Sequence, residues 1–506
     1  MDYYCLLQSA VSYIESRVRS EIDCGALSRS FGVSEPHFRD VFASRVGVPP
    51  GRYALTRRVA HAAFEISHTD RALFDIALDY GFDNPDTFTR AFRRETGMTP
   101  SSFRSARVPV GRVRLAAGAF GPGLRKTGNF PVIPPATEDT MAIARIEKGD
   151  DGCVLYGVQK VEFRSEEYTP FPAALRSCLN YMGQEIRYAY LMAATGAAFR
   201  LRWNPSCWDP GNVDIMNVFA DPEEAFVRGF RAAGRSFSLM RREANTTKAD
   251  FVKFIRAEID EGRPVIALGI IGPEEACIIA GYRDGGNTLL GWNFFQDFPE
   301  FGGGGEKDAS GYFITKGWWE NPSTVMLMSI GEECAELPDA SEILKAGLDI
   351  LERETVTRPN GCVHLGGQAA YRAWAAALSD DADFPSGIPL PQLFERLMCV
   401  IDGLTMVHEG RGCAAMWLKE LATSLDASGK GDLAALARKA AGFFDGERAL
   451  VDEITSLPGY VEPGEKRALA LAEPAFRKEL VERILHAAEL DHAASGVIRE
   501  LLGLWR

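Results

Sequence analysis

At 506 residues, with 46 % apolar and 25 % charged side chains, the chain has the composition of several folded domains and not of a disordered polymer. Its net charge of −13 excludes a uniformly basic nucleic-acid coat, so any phosphate contact must come from a locally basic face. Ten cysteines without a C-x-x-C pair fit reduced cytosolic thiols and exclude a disulfide framework or a zinc site, so neither metal nor cofactor is expected.

The opening MDYYCLLQSA has an acid and no basic segment, so it does not read as a secretory signal. The longest apolar run, residues 264–273, is far shorter than the ~20 residues a bilayer span needs. A cytoplasmic place and no membrane partner are the expectation.

Residues 27–42 (LSRSFGVSEPHFRDVF) read as helix, tight turn, helix, and residues 76–94 (IALDYGFDNPDTFTRAFRR) repeat the design. Gly32 and Gly81 stand where a helix must end with positive φ. Ser34 and Asn84 then cap the second helix of each pair. Phe38 and Phe42 recur at i, i+4 in one copy, Phe88 and Phe92 in the other, giving each second helix an apolar anchor. The opposite faces carry His37 and Arg39, and Thr87, Arg90, Arg93 and Arg94. An anchored helix that presents Arg and Thr outward suits the major groove of DNA. Between the copies, residues 52–67 carry Leu55, Val59, Ala63 and Ile66 at helical spacing without a breaker. Such a helix spans about 24 Å, enough to hold two reading helices near one DNA turn, ~34 Å, apart.

Ala77, Gly81, Phe82, Phe88, Arg90, Phe92, Gly97, Thr99, Pro100, Phe103 and Arg104 together resemble the signature of the AraC family DNA-binding domain. The resemblance implies an all-α double helix-turn-helix over residues 1–107, double-stranded DNA as partner, and work as a homodimer. Two residues of the first reading helix depart from it. Asp40 would repel phosphate or accept from a cytosine amine, and Pro36 replaces a side chain that could reach DNA, so the second helix is expected to carry most sequence reading. Residues 1–107 hold 14 Arg, no Lys and 13 acids, net +1, which leaves −14 on the remainder.

Residues 108–140 are rich in Gly and Pro and read as a linker with a short strand at 108–115. Residues 141–337 then read as an α+β domain. Strand is expected at 153–163, helices at 172–182 and 186–195 (closed by Gly196), strand at 199–203 and a turn-rich loop at 204–212. Helix 223–233, strand 236–242 and amphipathic helix 248–261 follow, then strands at 264–271, 275–283, 287–294 and 323–330, with a glycine loop at 302–305.

This order looks like a papain-like cysteine peptidase fold and is similar to the butirosin biosynthesis protein H family of acyltransferases. The resemblance places Cys178 (ALRSCLNYMG) on the nucleophile's helix, the catalytic His just before Gly281-Tyr282, and an orienting Asn293 on the next strand. The sequence departs from it at the base: its seven histidines are 37, 61, 68, 364, 408, 486 and 492, and Glu275 or Ala276 stands where the imidazole belongs. Without an imidazole a thiol is mostly protonated at neutral pH. Cys178 is then a buried helix residue or a ligand-lining thiol, and the domain reads as a degenerate, non-catalytic sensor. Aromatic and polar residues expected around its cleft are Trp203, Asn204, Trp208, Asp209, Tyr282, Trp292 and Asn293, together with Cys178. Such walls suit a small organic effector, cationic or aromatic.

Residues 338–506 read as an all-α lobe, with helices at 340–355, 367–378, 390–407, 414–425, 432–444, 447–454 and 475–502. LGGQAAYRAW at 365–374 is similar to a helix start in the helical part of the same acyltransferase-like family. His364 and His408 read as structural, although His364 reaching Cys178 from this lobe is one route by which catalysis would survive. The whole is expected to be a DNA-binding regulator with an effector-binding rear. The alternatives are an acyltransferase or amidohydrolase using Cys178 on a DNA-binding module, and a peptide- or protein-binding module.

Overall fold

The computed structural model describes residues 10, 14, 17–19, 22–30, 33–46, 49–68, 71–96, 98–105, 145–163, 167–209, 215–298, 305–334, 336–357, 363–462 and 465–505. The linker at 108–140, its strand at 108–115, Gly32 and most of the glycine loop lie outside the described residues.

The N-terminal part is helical: α1 Cys24–Ser30, α2 Glu35–Val46, α3 Pro50–His68, α4 Leu73–Asp79, α5 Pro85–Thr96 and α6 Pro100–Ser105. Gly81 ends the α4 turn at φ +73°, as its position between two helices requires. The spine α3 is 19 residues long, about 28 Å, and buries Val59, Ala62, Ala63 and Ile66 beneath the second helix pair.

An eight-stranded sheet forms the middle part. Its strands are β1 Arg145–Lys148, β2 Cys153–Tyr156, β4 Arg235–Arg241, β5 Val265–Leu268, β6 Ala276–Arg283, β7 Thr288–Trp292, β8 Phe313–Thr315 and β9 Met326–Glu333, while β3 Arg202–Trp203 lies elsewhere. The order is β1-β2-β6-β5-β9-β4, with β7 against β6 and β8 against β7, every pair antiparallel. Helices α7 Pro170–Tyr181, α8 Tyr188–Ala194, α9 Glu224–Ala232 and α10 Lys248–Asp260 accompany it. Thr247 and Asp250 close a capping box at the start of α10, with Asp250 Oδ2 accepting the Thr247 N–H at 2.8 Å. The strand expected over 153–163 stops at Tyr156, because Gly157 turns the chain at φ +100°.

The rear is helical: α11 Ala340–Glu352, α12 Gly367–Ser379, α13 Leu390–Ala427, α14 Gly431–Thr455, α15 Pro458–Val461, α16 Glu465–Ala472 and α17 Pro474–Leu504. Strands β10 Thr355–Thr357 and β11 Val363–Gly366 precede α12, and β11 pairs with β3, Trp203 opposite Leu365. A three-stranded sheet therefore stitches the middle part to the rear. The helices expected at 390–407 and 414–425 are one 38-residue helix. Gly410 lies inside it, where a Cβ would stand 2.9 Å from the Ala198 carbonyl oxygen; the glycine admits a neighbouring backbone and does not end the helix. Likewise 432–444 and 447–454 merge into α14. Among the described residues no helix is long and apolar enough to cross a membrane, and no group of three or more His, Cys, Asp or Glu could hold a metal ion.

Candidate functional site

Both second helices of the helix pairs are seated by phenylalanine. In α5, Phe88 and Phe92 stack in a chain from Phe82 to Phe103, with successive centroids 5.1, 5.4 and 5.3 Å apart. Asn84 Oδ1 accepts the Asp86 N–H at 2.7 Å and opens the helix. Once that face is committed, 3.6-residue periodicity turns Thr87, Arg90, Arg93 and Arg94 outward, and all four are exposed. Arg90 Nε donates back to the Asp86 carbonyl at 3.3 Å, and Arg94 Nε to Glu95 Oε1 at 3.1 Å. In α2, Phe38 and Phe42 are fully buried and Ser34, His37 and Arg39 exposed. Arg39 Nη2 sits 2.6 Å from Glu35 Oε1 on the same helix, and exposed Asp40 adds a second acid. The cationic reading face is therefore concentrated on α5.

Buried polar groups hold this geometry. Glu65, 2 % exposed, accepts from the Tyr80 hydroxyl at 2.6 Å, from Arg71 Nη1 at 2.7 Å and from Arg19. Burial, reinforced by Glu65, pushes the Tyr80 phenol well above its ordinary range. Arg52 on the spine holds Glu95 at the end of α5 at 2.8 Å. Arg104, part of the family-like signature, donates to the Ile66 and Arg71 carbonyls at 3.3 and 2.7 Å, so its role is to brace α3 and not to read bases.

The eight residues expected around one cleft fall in two places. Cys178 is fully buried in the last turn of α7, and burial first, then the neighbouring Cys277, pushes its thiol far above the ordinary range. Tyr282 donates to Asp260 Oδ1 at 2.7 Å, Trp292 Nε1 to the Val158 carbonyl at 2.7 Å, and Asn293 Nδ2 to the Gly269 and Ile271 carbonyls at 3.0 and 3.1 Å. These polar atoms are spent bracing the sheet. His364 on β11 points Nε2 to Asp209 Oδ2 at 3.9 Å, and Cys178 neighbours Cys277. His408 lies 3.0 Å from Asp452 at the surface.

Trp203, Asn204 and Asp209 line a narrow cleft with room for about one water molecule, together with Arg202, Cys207, Cys399, Asp402 and Met406. Trp208 stands edge-on to Trp203 at 5.4 Å and donates Nε1 to Asp383 at 2.9 Å, while Trp203 stacks on Trp374 at 5.9 Å. The Arg202 guanidinium donates to the Leu201 carbonyl at 3.0 Å and to the Val218 carbonyl. Burial, then Asp402 and Asp209, pushes the Cys399 thiol well up, so the cleft holds a neutral thiol beside two carboxylates. Cys399, Asp402 and Met406 come from α13, and the sequence reading missed them. The available signal was an acid, Asp402, inside the buried stripe LMCVIDGLTMV.

A family model described as a helix-turn-helix domain matches residues 27–106. The regulatory protein SoxS of Salmonella typhimurium is 31 % identical over 104 residues, covering 21 % of this chain and 97 % of SoxS. An uncharacterized HTH-type transcriptional regulator of Bacillus subtilis, YbfP, is 32 % identical over 105 residues, 36 % of its length. A solved transcriptional regulator with an AraC-type DNA-binding domain, from Chromobacterium violaceum, is 25 % identical over 20 % of this chain and 92 % of its own, with a TM-score of 0.20. Through its N-terminal double helix-turn-helix, the chain belongs to the AraC-type family of DNA-binding transcriptional regulators.

Proposed function

We propose that the protein is a one-component cytoplasmic regulator whose region after residue 140, a non-catalytic relative of the papain-like fold, binds a small organic effector and controls how a homodimer presents its reading helices. The observation that carries this reading is the cleft, in which Trp203, Asn204, Asp209 and Asp402 converge from two distant segments of the chain. Aromatic walls with two carboxylates favour a small cation, through ring quadrupole and charge together. As it stands the cleft has room for about one water molecule, so a ligand must part its walls to enter. A ligand that prefers one arrangement of the cleft shifts the population of that arrangement.

An enzymatic reading would need an ionised Cys178 thiol, and its burial weighs against that. Native mass spectrometry of the purified chain tests the proposal, reporting subunit number and any retained small molecule together. A monomer with no retained molecule, and no shift in melting temperature across a panel of organic amines, would defeat it.

A further inference from the structure

The spine helix α3 meets α13 through a nearly buried ion pair. Arg57 Nη2, on a side chain 5 % exposed, lies 2.9 Å from Glu395 Oε1, whose side chain is 15 % exposed. Arg57 Nη2 also stands 3.3 Å from His61 Nε2, and Arg19 Nη1 donates to the Gly387 carbonyl at 3.1 Å, just ahead of α13. One turn beyond Glu395 on α13 comes Cys399, then Asp402 and Met406, three of the cleft's lining residues. The same helix therefore floors the cleft and grips the spine that carries both reading helices. Its middle is stiff: a Cβ at Gly403 would stand 2.8 Å from the Trp374 ring, so α13 is pressed against α12 at that turn. A shift forced on residues 399–406 is then passed to Glu395 and not absorbed by bending.

We infer that the Arg57–Glu395 contact is an autoinhibitory latch: α13 holds the reading unit against the acidic remainder of the chain, and filling the cleft loosens that hold. The inference rests on the cleft being the effector site proposed above. The latch works by charge and orientation, since both reading faces are exposed while it is closed. Holding a unit of net charge +1 beside a remainder of −14 places repulsion next to any approaching phosphate backbone. Release removes that neighbour and frees the unit to follow the DNA.

The test uses the full chain and no ligand. Glu395→Gln removes the charge and keeps the shape. Amide exchange in α3 should accelerate at least tenfold, and affinity for a random-sequence duplex should rise about fivefold at low salt, the gain fading at high salt. Arg57→Glu combined with Glu395→Arg should restore both values. Glu482→Gln makes the same charge change on exposed α17 and should give no gain. Cys207→Trp, which overfills the narrow cleft and forces its walls apart, should accelerate α3 exchange as Glu395→Gln does. Unchanged exchange or unchanged or weakened DNA affinity in Glu395→Gln overturns the latch, and no acceleration in Cys207→Trp overturns its link to the cleft. These arms need no effector, so their failure leaves the effector reading standing. Absence of a ligand by mass spectrometry defeats that reading without touching the latch.

Discussion

Arg411→Met removes the keystone between α13 and the loop that leads into β3. Arg411 is fully buried and grips Asp491 with two parallel bonds, Nε to Oδ1 at 3.0 Å and Nη2 to Oδ2 at 3.1 Å. Its Nη1 also donates to the Ala198 and Arg200 carbonyls at 3.0 and 3.1 Å. Glu447 lies 3.6 Å away and accepts from the Tyr371 hydroxyl at 2.8 Å. Methionine fills much of the volume but leaves two buried carboxylates facing each other, with no cation between them. Breaking a buried pair by removing one partner costs about 3–5 kcal/mol. Against a unit of about 360 residues unfolding together, that lowers Tm by roughly 4–7 °C.

The pH dependence gives the sharper check. Burial, then Asp491, already holds the Glu447 carboxyl well above its ordinary value, and burial likewise raises Asp491. A carboxyl raised in the folded state contributes most stability below its unfolded pKa of about 4, and that contribution is lost as pH rises toward the folded value. Without Arg411 both folded values climb further. The Tm deficit of Arg411→Met should therefore be large at pH 8 and narrow by pH 5, measured by calorimetry of variant and parent in matched buffers. A deficit that is constant, or that widens on acidification, would show that the loss comes from packing and not from uncompensated charge.

Arg90→Ala should weaken binding to a duplex selected from random pools by about 1–3 kcal/mol and binding to random DNA far less, as measured by fluorescence anisotropy; equal losses would make Arg90 a phosphate contact only. With three exposed arginines on α5, the logarithmic salt slope should be near −3 per chain, and a slope beyond about −8 would reveal another basic surface. Gly410→Ala, despite alanine's higher helix propensity, should destabilise by about 1–3 kcal/mol in chemical denaturation, because its methyl group meets the Ala198 carbonyl oxygen. Iodoacetamide at pH 7 should label exposed Cys334 before Cys178, read by peptide mass mapping, and early labelling of Cys178 would revive the enzyme reading.

Where a helix has one committed apolar face, the sequence alone places it: Phe88 and Phe92 fix α5 and thereby the outward arginines. The same rule fails for α13, where Gly410 imitates a helix end although packing against Ala198, far away in sequence, is what needs it small. The strands β10 and β11 have three and four residues, and β3, which pairs with β11, lies some 160 residues earlier, so no local pattern announces them. Trp203, Asn204 and Asp209 were legible in the sequence as residues of one loop, but the wall they face was not, since Cys399 and Met406 look like core. Tyr282, Trp292 and Asn293 misled for the opposite reason. Their polar atoms look available in the sequence, and only the fold shows the backbone carbonyls and the carboxylate that accept them.

The N-terminal arginines explain how a nearly neutral unit can still read DNA. Several of them are engaged by partners. Arg52 is taken by Glu95, Arg57 by Glu395, Arg71 by Glu65 and Asp79, Arg104 by two backbone carbonyls, and Arg39 by Glu35. These pairs engage four of the unit's 13 acids, Glu35, Glu65, Asp79 and Glu95, and the unit's formal charge of +1 coexists with a short cationic stripe on α5. A stripe that short supplies little non-specific attraction, because that attraction scales with the number of phosphates neutralised. On the function proposed above, discrimination would rest on base-edge contacts by Arg90 and its neighbours, and a latch that adds even modest repulsion from the acidic rear would tip occupancy of a site.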